Sequence, residues 1–127
     1  MGKVSAHFSE AEIACRCDCG QDTVNKQLYV ILERFRKLLG DVPMTTHCVN
    51  RCTAHNLKVG GVPKTEKSNG SRHLYGMAWD GICRTYSNRQ LHKLAKKAYK
   101  LNIISGGLGL YRWGIHIDSS KKRMWKG

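Results

Sequence analysis

An α+β domain, a small antiparallel sheet with helices packed on it, is the fold class this sequence predicts, and three observations predict it. Leu28, Ile31, Leu32, Phe35, Leu38 and Leu39 recur at three- and four-residue intervals, which makes one apolar face of a helix. A second stripe of this kind, Leu91, Leu94, Ala95, Ala98 and Leu101, follows Ser87-Asn88-Arg89-Gln90, the pattern of a capping box. Around these lie short runs rich in β-branched and aromatic residues, bounded by glycine or proline, which read as strands. Such a mixture makes a small α+β fold.

Taken in order, Ser9-Glu10-Ala11-Glu12 is a capping box that opens a short helix. The long amphipathic helix follows, and Gly40 stops it. Pro43 then breaks the chain ahead of "MTTHC", a strand over 44–48. A short helical turn starts at Thr53 and ends at the paired glycines Gly60 and Gly61. Residues 63–72, polar and turn-rich, read as a surface loop. "MAWDGIC" reads as a mostly buried strand, the second capping box opens the second helix, and "GGLGLYRWGIHID" holds two short runs joined by a turn. That last pattern suggests an antiparallel hairpin.

The chain of 127 residues is expected to be one domain over 1–127 with a modest core. No apolar run approaches the length of a membrane span, and the first residues lack the charged-then-apolar pattern of a secretory signal. Synthesis in a bacterial cytoplasm, with action elsewhere after release, is therefore the expectation. The 22 basic residues against 9 acidic ones, a formal +13, favour polyanions: nucleic acid, anionic membrane or the polymers of a bacterial wall. No helix-turn-helix, zinc-finger or RNA-binding pattern accompanies that charge, so no specific nucleic-acid partner is expected. Six cysteines stand at 15, 17, 19, 48, 52 and 83. Cytoplasmic synthesis points to thiols rather than disulfides. "CRCDC" followed by "CVNRC" suggests a metal knuckle, but the Cys-x-Cys-x-Cys spacing departs from the usual gap of a structural zinc hairpin, so reduced, partly buried thiols are expected there ahead of a structural metal.

The residues that carry chemistry are three. On a strand, side chains at i and i+2 share a face, so His116 and Asp118 point the same way while Ile115 and Ile117 point into the opposite layer. Asp80 sits in a strand-like run, and His73 on a turn seven residues earlier. Two imidazoles and a carboxylate around one ion are the ligands of a hydrolytic zinc site; the same set also holds iron.

The wider pattern around these residues is more specific. "SRHLYGMAWD" resembles the Ser-x-His-x-x-Gly-x-Ala-x-Asp signature of the zinc D-Ala-D-Ala carboxypeptidase family, which has the Hedgehog/DD-peptidase fold. "HFSEAEIACRCDCG" resembles the family's opening segment, and "NRCTAHNLKVGG" its Tyr-Arg-Cys-x-x-His-Asn…Val-Gly-Gly segment, with Asn50 in place of the tyrosine. "GLGLYRWGIHIDSS" followed by "RMW" resembles the closing pattern. The resemblance implies His73, Asp80 and His116 as ligands of Zn2+, and hydrolysis of peptide bonds in bacterial peptidoglycan, of carboxypeptidase or endopeptidase type. It gives Arg51 a catalytic and substrate-binding place, on the peptide carboxylate or the oxyanion, and a bidentate guanidinium suits either task. A phage endolysin or a wall-remodelling enzyme, monomeric and bound to the stem peptide, is the expectation. The alternatives are an inactive zinc-containing wall-binding module and a basic nucleic-acid-binding domain.

Two departures from the family pattern stand out. Relatives carry an acidic residue or a histidine two or three positions before the final ligand, where this chain has Gly114 and Trp113. Asp118 is the candidate for that proton-handling work, weighed against a role in orienting His116. The loop at 63–72 is longer than the family's usual connection. Ser71 is expected to bind substrate and to hydrogen-bond near the metal rather than to act as a nucleophile. Trp113 is a substrate-binding candidate, Trp79, Tyr111 and Trp125 are candidates for the same groove, and at least two of the four are expected in the core.

Overall fold

The computed structural model describes residues 2–17, 19–65 and 68–127. A short antiparallel pair, β1 (Lys3–Ser5) and β2 (Phe8–Ser9), leads into α1 (Glu10–Ile13), where Ser9 and Glu12 form the reciprocal capping box. The long helix α2 (Lys26–Leu38) is capped by Asn25, whose side chain accepts from the Leu28 N–H. It buries Leu28, Ile31, Leu32 and Phe35. Each such side chain taken fully out of water contributes roughly 1.5–3 kcal/mol, enough to hold an element whose outer face is polar.

The rest of the chain builds one five-stranded sheet. Its strands are β3 (Thr45–Cys48), β4 (Ala78–Ile82), β5 (Gly107–Tyr111), β6 (Gly114–Asp118) and β7 (Arg123–Lys126), in spatial order β3-β4-β6-β5-β7. All neighbours are antiparallel except β5 and β7, which run parallel. The expected terminal hairpin is β5–β6. The parallel edge strand was not anticipated, because "RMWK" is too short to show a period. Two further helices complete the fold: α3 (Thr53–Lys58), and α4 (Asn88–Lys100), which has its capping box on Ser87 and Gln90. Helix α4 buries Leu91, Ala95 and Ala98, but Leu101 is 57% exposed. It is the C-cap residue, where the helix ends and the apolar stripe no longer faces the core.

The core lies between the helices and one face of the sheet, where Trp79, Leu108, Ile115 and Ile117 meet Leu28, Phe35, Leu91 and Ala95. The alternation in β6 sends Ile115 and Ile117 to that side, and the opposite face of β4 and β6 is left to carry polar chemistry.

Candidate metal centre

Asp80 and His116 face each other because β4 and β6 pair in the register Asp80↔His116 and Ala78↔Asp118. Cross-strand partners have Cβ atoms about 4.5–5.5 Å apart, and here the His116 Nδ1 lies 2.7 Å from Asp80 Oδ1. His73 reaches the same place from a single turn of 3-10 helix, Arg72–Tyr75, capped by the Ser71 hydroxyl, which accepts from the His73 N–H at 3.2 Å. Gly76 ends that turn with φ 64°, and a Cβ there would stand 2.4 Å from the Thr23 carbonyl, so only glycine turns the chain into β4 at this point.

The ligand atoms of His73, Asp80 and His116 all lie within 4.8 Å of one another. Both rings are held by their far side. Nδ1 of His73 is 2.9 Å from the Val49 carbonyl. Nε2 of His116 is 2.9 Å from Asp118 Oδ2. The inward Nε2 of His73 is buried and forms no hydrogen bond, although Asp80 Oδ2 is 3.0 Å away; the two are near enough for ion pairing but outside hydrogen-bond geometry. A buried nitrogen so close to a carboxylate and without a hydrogen bond fits a cation bound by both.

Electrostatics agree. Burial works to raise the Asp80 carboxyl, but His116 and His73 outweigh it and hold it well below the ordinary carboxylate range. Burial works against a charged His73, yet Asp80 and Cys48 raise its pKa to about 9. For His116, too, burial opposes protonation, while Asp118 and Asp80 raise the pKa. The negative focus that favours protons on the two rings would also hold a divalent cation in their place.

The cluster lies at a cleft of about 430 Å³. Arg51, Ser71, Tyr111, Trp113 and Trp125 line it as well. Arg51 places one guanidinium nitrogen 3.9 Å from Asp80 Oδ2, and another donates to Asn56 Oδ1 at 3.0 Å. Asn56 is buried and also donates to the Val62 carbonyl. A Cβ on Gly61 would fall 2.5 Å from the Arg51 guanidinium. The Asn…Gly-Gly part of "NRCTAHNLKVGG" thus shapes the seat of the arginine. Asn56 had not been singled out in the sequence; its place in that segment was the signal for it.

Of the four aromatic candidates, Trp79 alone is in the core, where at least two were expected, and it donates to Thr46 Oγ1. The other three form one wall of the cleft. Trp113, 43% exposed, stacks on Tyr111 with ring centroids 4.9 Å apart. Trp125 donates to the Tyr111 hydroxyl at 2.7 Å and lies 5.2 Å from the His116 ring.

Asp118 is fully buried behind His116. Its carboxylate also accepts from the Gly107 N–H, the Ser120 N–H and hydroxyl, and two nitrogens of Arg123. Burial raises its pKa, and His116, Arg123 and Ser120 bring it far below the usual range. A carboxylate so deeply paired is a poor proton acceptor. These contacts fit the orienting role rather than the proton-carrying one.

A family model described as Peptidase M15 matches residues 6–118. The chain belongs to the M15 peptidase family. No curated protein is similar enough to count as a match. Membership carries metal-dependent peptide hydrolysis in general. Gly114 has φ 153°, and a Cβ there would approach the Gly81 carbonyl to 2.4 Å, so a side chain at this position has no room on this backbone. The rim loop contains residues 66 and 67, which lie outside the described residues. Among its described residues, Thr65 and Ser68 form an isolated antiparallel bridge.

Proposed function

We propose that this M15 peptidase is a zinc enzyme that hydrolyses peptide bonds of bacterial peptidoglycan, as a phage endolysin or a wall-remodelling enzyme. The convergence of His73, Asp80 and His116 on one point of an open cleft, in a chain of this family, carries the reading. These three would hold the zinc, and three protein ligands with one open position is the arrangement of catalytic rather than structural sites. When bound, zinc supplies a Lewis acid for the scissile carbonyl and brings the pKa of water to about 7.

The chain's own residues supply the rest. Arg51, held by Asn56 beside the metal site, binds the carboxylate of the stem peptide or the oxygen that gains charge during attack. Trp113, with Tyr111 and Trp125, packs against the peptide and excludes water from one side of the scissile bond. Ser71 acts through the backbone, because its hydroxyl fixes the turn that presents His73. Asp118 keeps His116 in one tautomer and orientation. The formal charge of +13 draws the protein to an anionic envelope. No described helix is long and apolar enough to cross a membrane.

The test is digestion of purified peptidoglycan followed by mass spectrometry of the muropeptides, with His116→Ala as control. New termini that appear only with the wild-type chain identify both the activity and the bond cut. Identical profiles from the two proteins point instead to an inactive zinc-containing wall-binding module. Elemental analysis reads the ligands separately: His73→Ala and Asp80→Ala should each lose one equivalent of zinc relative to wild type.

A further inference from the structure

Away from the cleft, four of the six cysteines gather at a second point. Cys15, Cys17, Cys19 and Cys52 place their sulfurs within 4.8 Å of one another, although Cys52 lies 33 residues beyond Cys19 in the chain. All four are free thiols. Two of the pairs are Cys15–Cys17 at 3.4 Å and Cys17–Cys52 at 3.5 Å. Four thiolates around one zinc at about 2.3 Å in a tetrahedron would stand about 3.8 Å apart, which falls between these pairs and the limit for the group.

The expectation of unconnected thiols rested on spacing within 15–19, and tertiary structure supplies the missing ligand. The Cys15 N–H donates to the Gln21 carbonyl at 2.8 Å, closing the segment into a loop. Cys52 is the N-cap of α3. The backbone around the sulfurs already presents donors to them: the Cys52 N–H points to Cys15 Sγ and the His55 N–H to Cys52 Sγ, each at 3.4 Å. Donors of this kind offset the charge of thiolates and orient them on a metal.

We infer that Cys15, Cys17, Cys19 and Cys52 form a second, closed metal site that binds one Zn2+ as a structural tetrathiolate. Binding displaces the thiol protons to solvent, one for each sulfur that arrives as a thiol, with no change in oxidation state. The bound unit, four thiolates and one dication, carries two negative charges, in a chain whose formal charge is +13 and with Arg16 and Arg51 next to its ligands in sequence. Its place in the fold gives it a task. Gln21 meets the strand-to-helix corner that carries Arg51, where its side chain donates to the carbonyls of Arg51 and Leu74 at 3.0 Å. A metal shared by Cys52 and the loop ties the N-terminal segment to the residue beside Arg51, so it braces the rim of the cleft from behind.

The experiment is native mass spectrometry of the full chain, expressed with zinc and purified under reducing conditions without chelator. Cys17 and Cys19 are exposed, so Cys17→Ser and Cys19→Ser spare the core, and circular dichroism checks their fold. Each should carry one zinc fewer than wild type, and Cys17→Ser combined with His73→Ala should carry none. Should the His73 centre bind no metal, wild type would carry one zinc and Cys17→Ser none, so failure of that reading is distinct from failure of this one. A measurement on the unmutated chain stands beside these: cobalt(II) should give an intense thiolate-to-metal charge-transfer absorption, kept in His73→Ala and lost in Cys17→Ser. Equal zinc in wild type and both serine variants, iron in place of zinc, or no charge-transfer band would each overturn the inference.

Discussion

The two candidate metal centres are built in opposite ways. The histidine–aspartate cluster rests on a sheet: Asp80 and His116 are cross-strand partners, each ring is held from behind, and the cluster opens onto a cleft. The thiol cluster uses no strand. It joins a loop to a helix cap, with backbone N–H groups in place of carboxylates behind the ligands. Three ligands and an opening suit chemistry, while four ligands and closure suit bracing. On the proposed reading, one chain of 127 residues separates the metal that reacts from the metal that holds.

Selective metal removal is the sharpest way to test that contrast. Under a moderate chelator, peptidase activity should vanish first while the melting temperature stays near that of the intact protein. Under a stronger chelator the melting temperature should then fall. Activity and melting that decline together would merge the two centres into one role. Next in size, Asp118→Asn should lower metal affinity at the histidine centre and turnover together by about 10–100-fold, with zinc retained by the thiols. Competition titration and peptidoglycan turnover measure the two effects. A turnover loss with unchanged affinity would return Asp118 to proton transfer.

Acidity bears on the same centre. Without metal, Asp80 holds a proton on His73 up to about pH 9, and His116 is raised as well. Metal must displace the His73 proton, so affinity should weaken as pH falls below 9, by about tenfold per unit. The metal-free fold runs the other way: the stabilisation from a raised His73 is complete below its ordinary value near 6.5 and is lost as pH rises through 9. Zinc titrations and melting curves of metal-free protein across that range check both signs. Gly114→Ala, which sets a Cβ against the Gly81 carbonyl, should cost about 1–3 kcal/mol of stability, read by denaturant unfolding. Trp113→Ala should have the smallest effect. Being half exposed, it should shift stability by less than about 0.5 kcal/mol and raise KM several-fold with little change in kcat.

Much of this architecture was legible along the chain. Both capping boxes, both long helices, the strand at 45–48 and the hairpin over 107–118 follow from local rules of periodicity and capping. Leu101 was misassigned because a periodic stripe does not say at which turn its helix ends. The parallel edge strand β7 escaped because four residues carry no period. At the site, the i, i+2 relation correctly put His116 and Asp118 on one side of a strand, but it could not say which of the two would look into the cleft. Asp118 lost that place because Arg123, from the next strand, claims its carboxylate from behind.

By itself, then, the order of residues determined most of the elements, the apolar faces of both long helices up to their last turn, and a family signature in which two histidines and an aspartate recur at set positions. Only the tertiary structure decided what meets what: the β4–β6 register that sets Asp80 against His116, Asn56 under Arg51, and Cys52 beside the loop of Cys15, Cys17 and Cys19. The physical reason is range. Helix and strand preferences act over a few neighbouring residues, whereas a metal site is a convergence of distant side chains, set by how the sheet and helices close around a shared core.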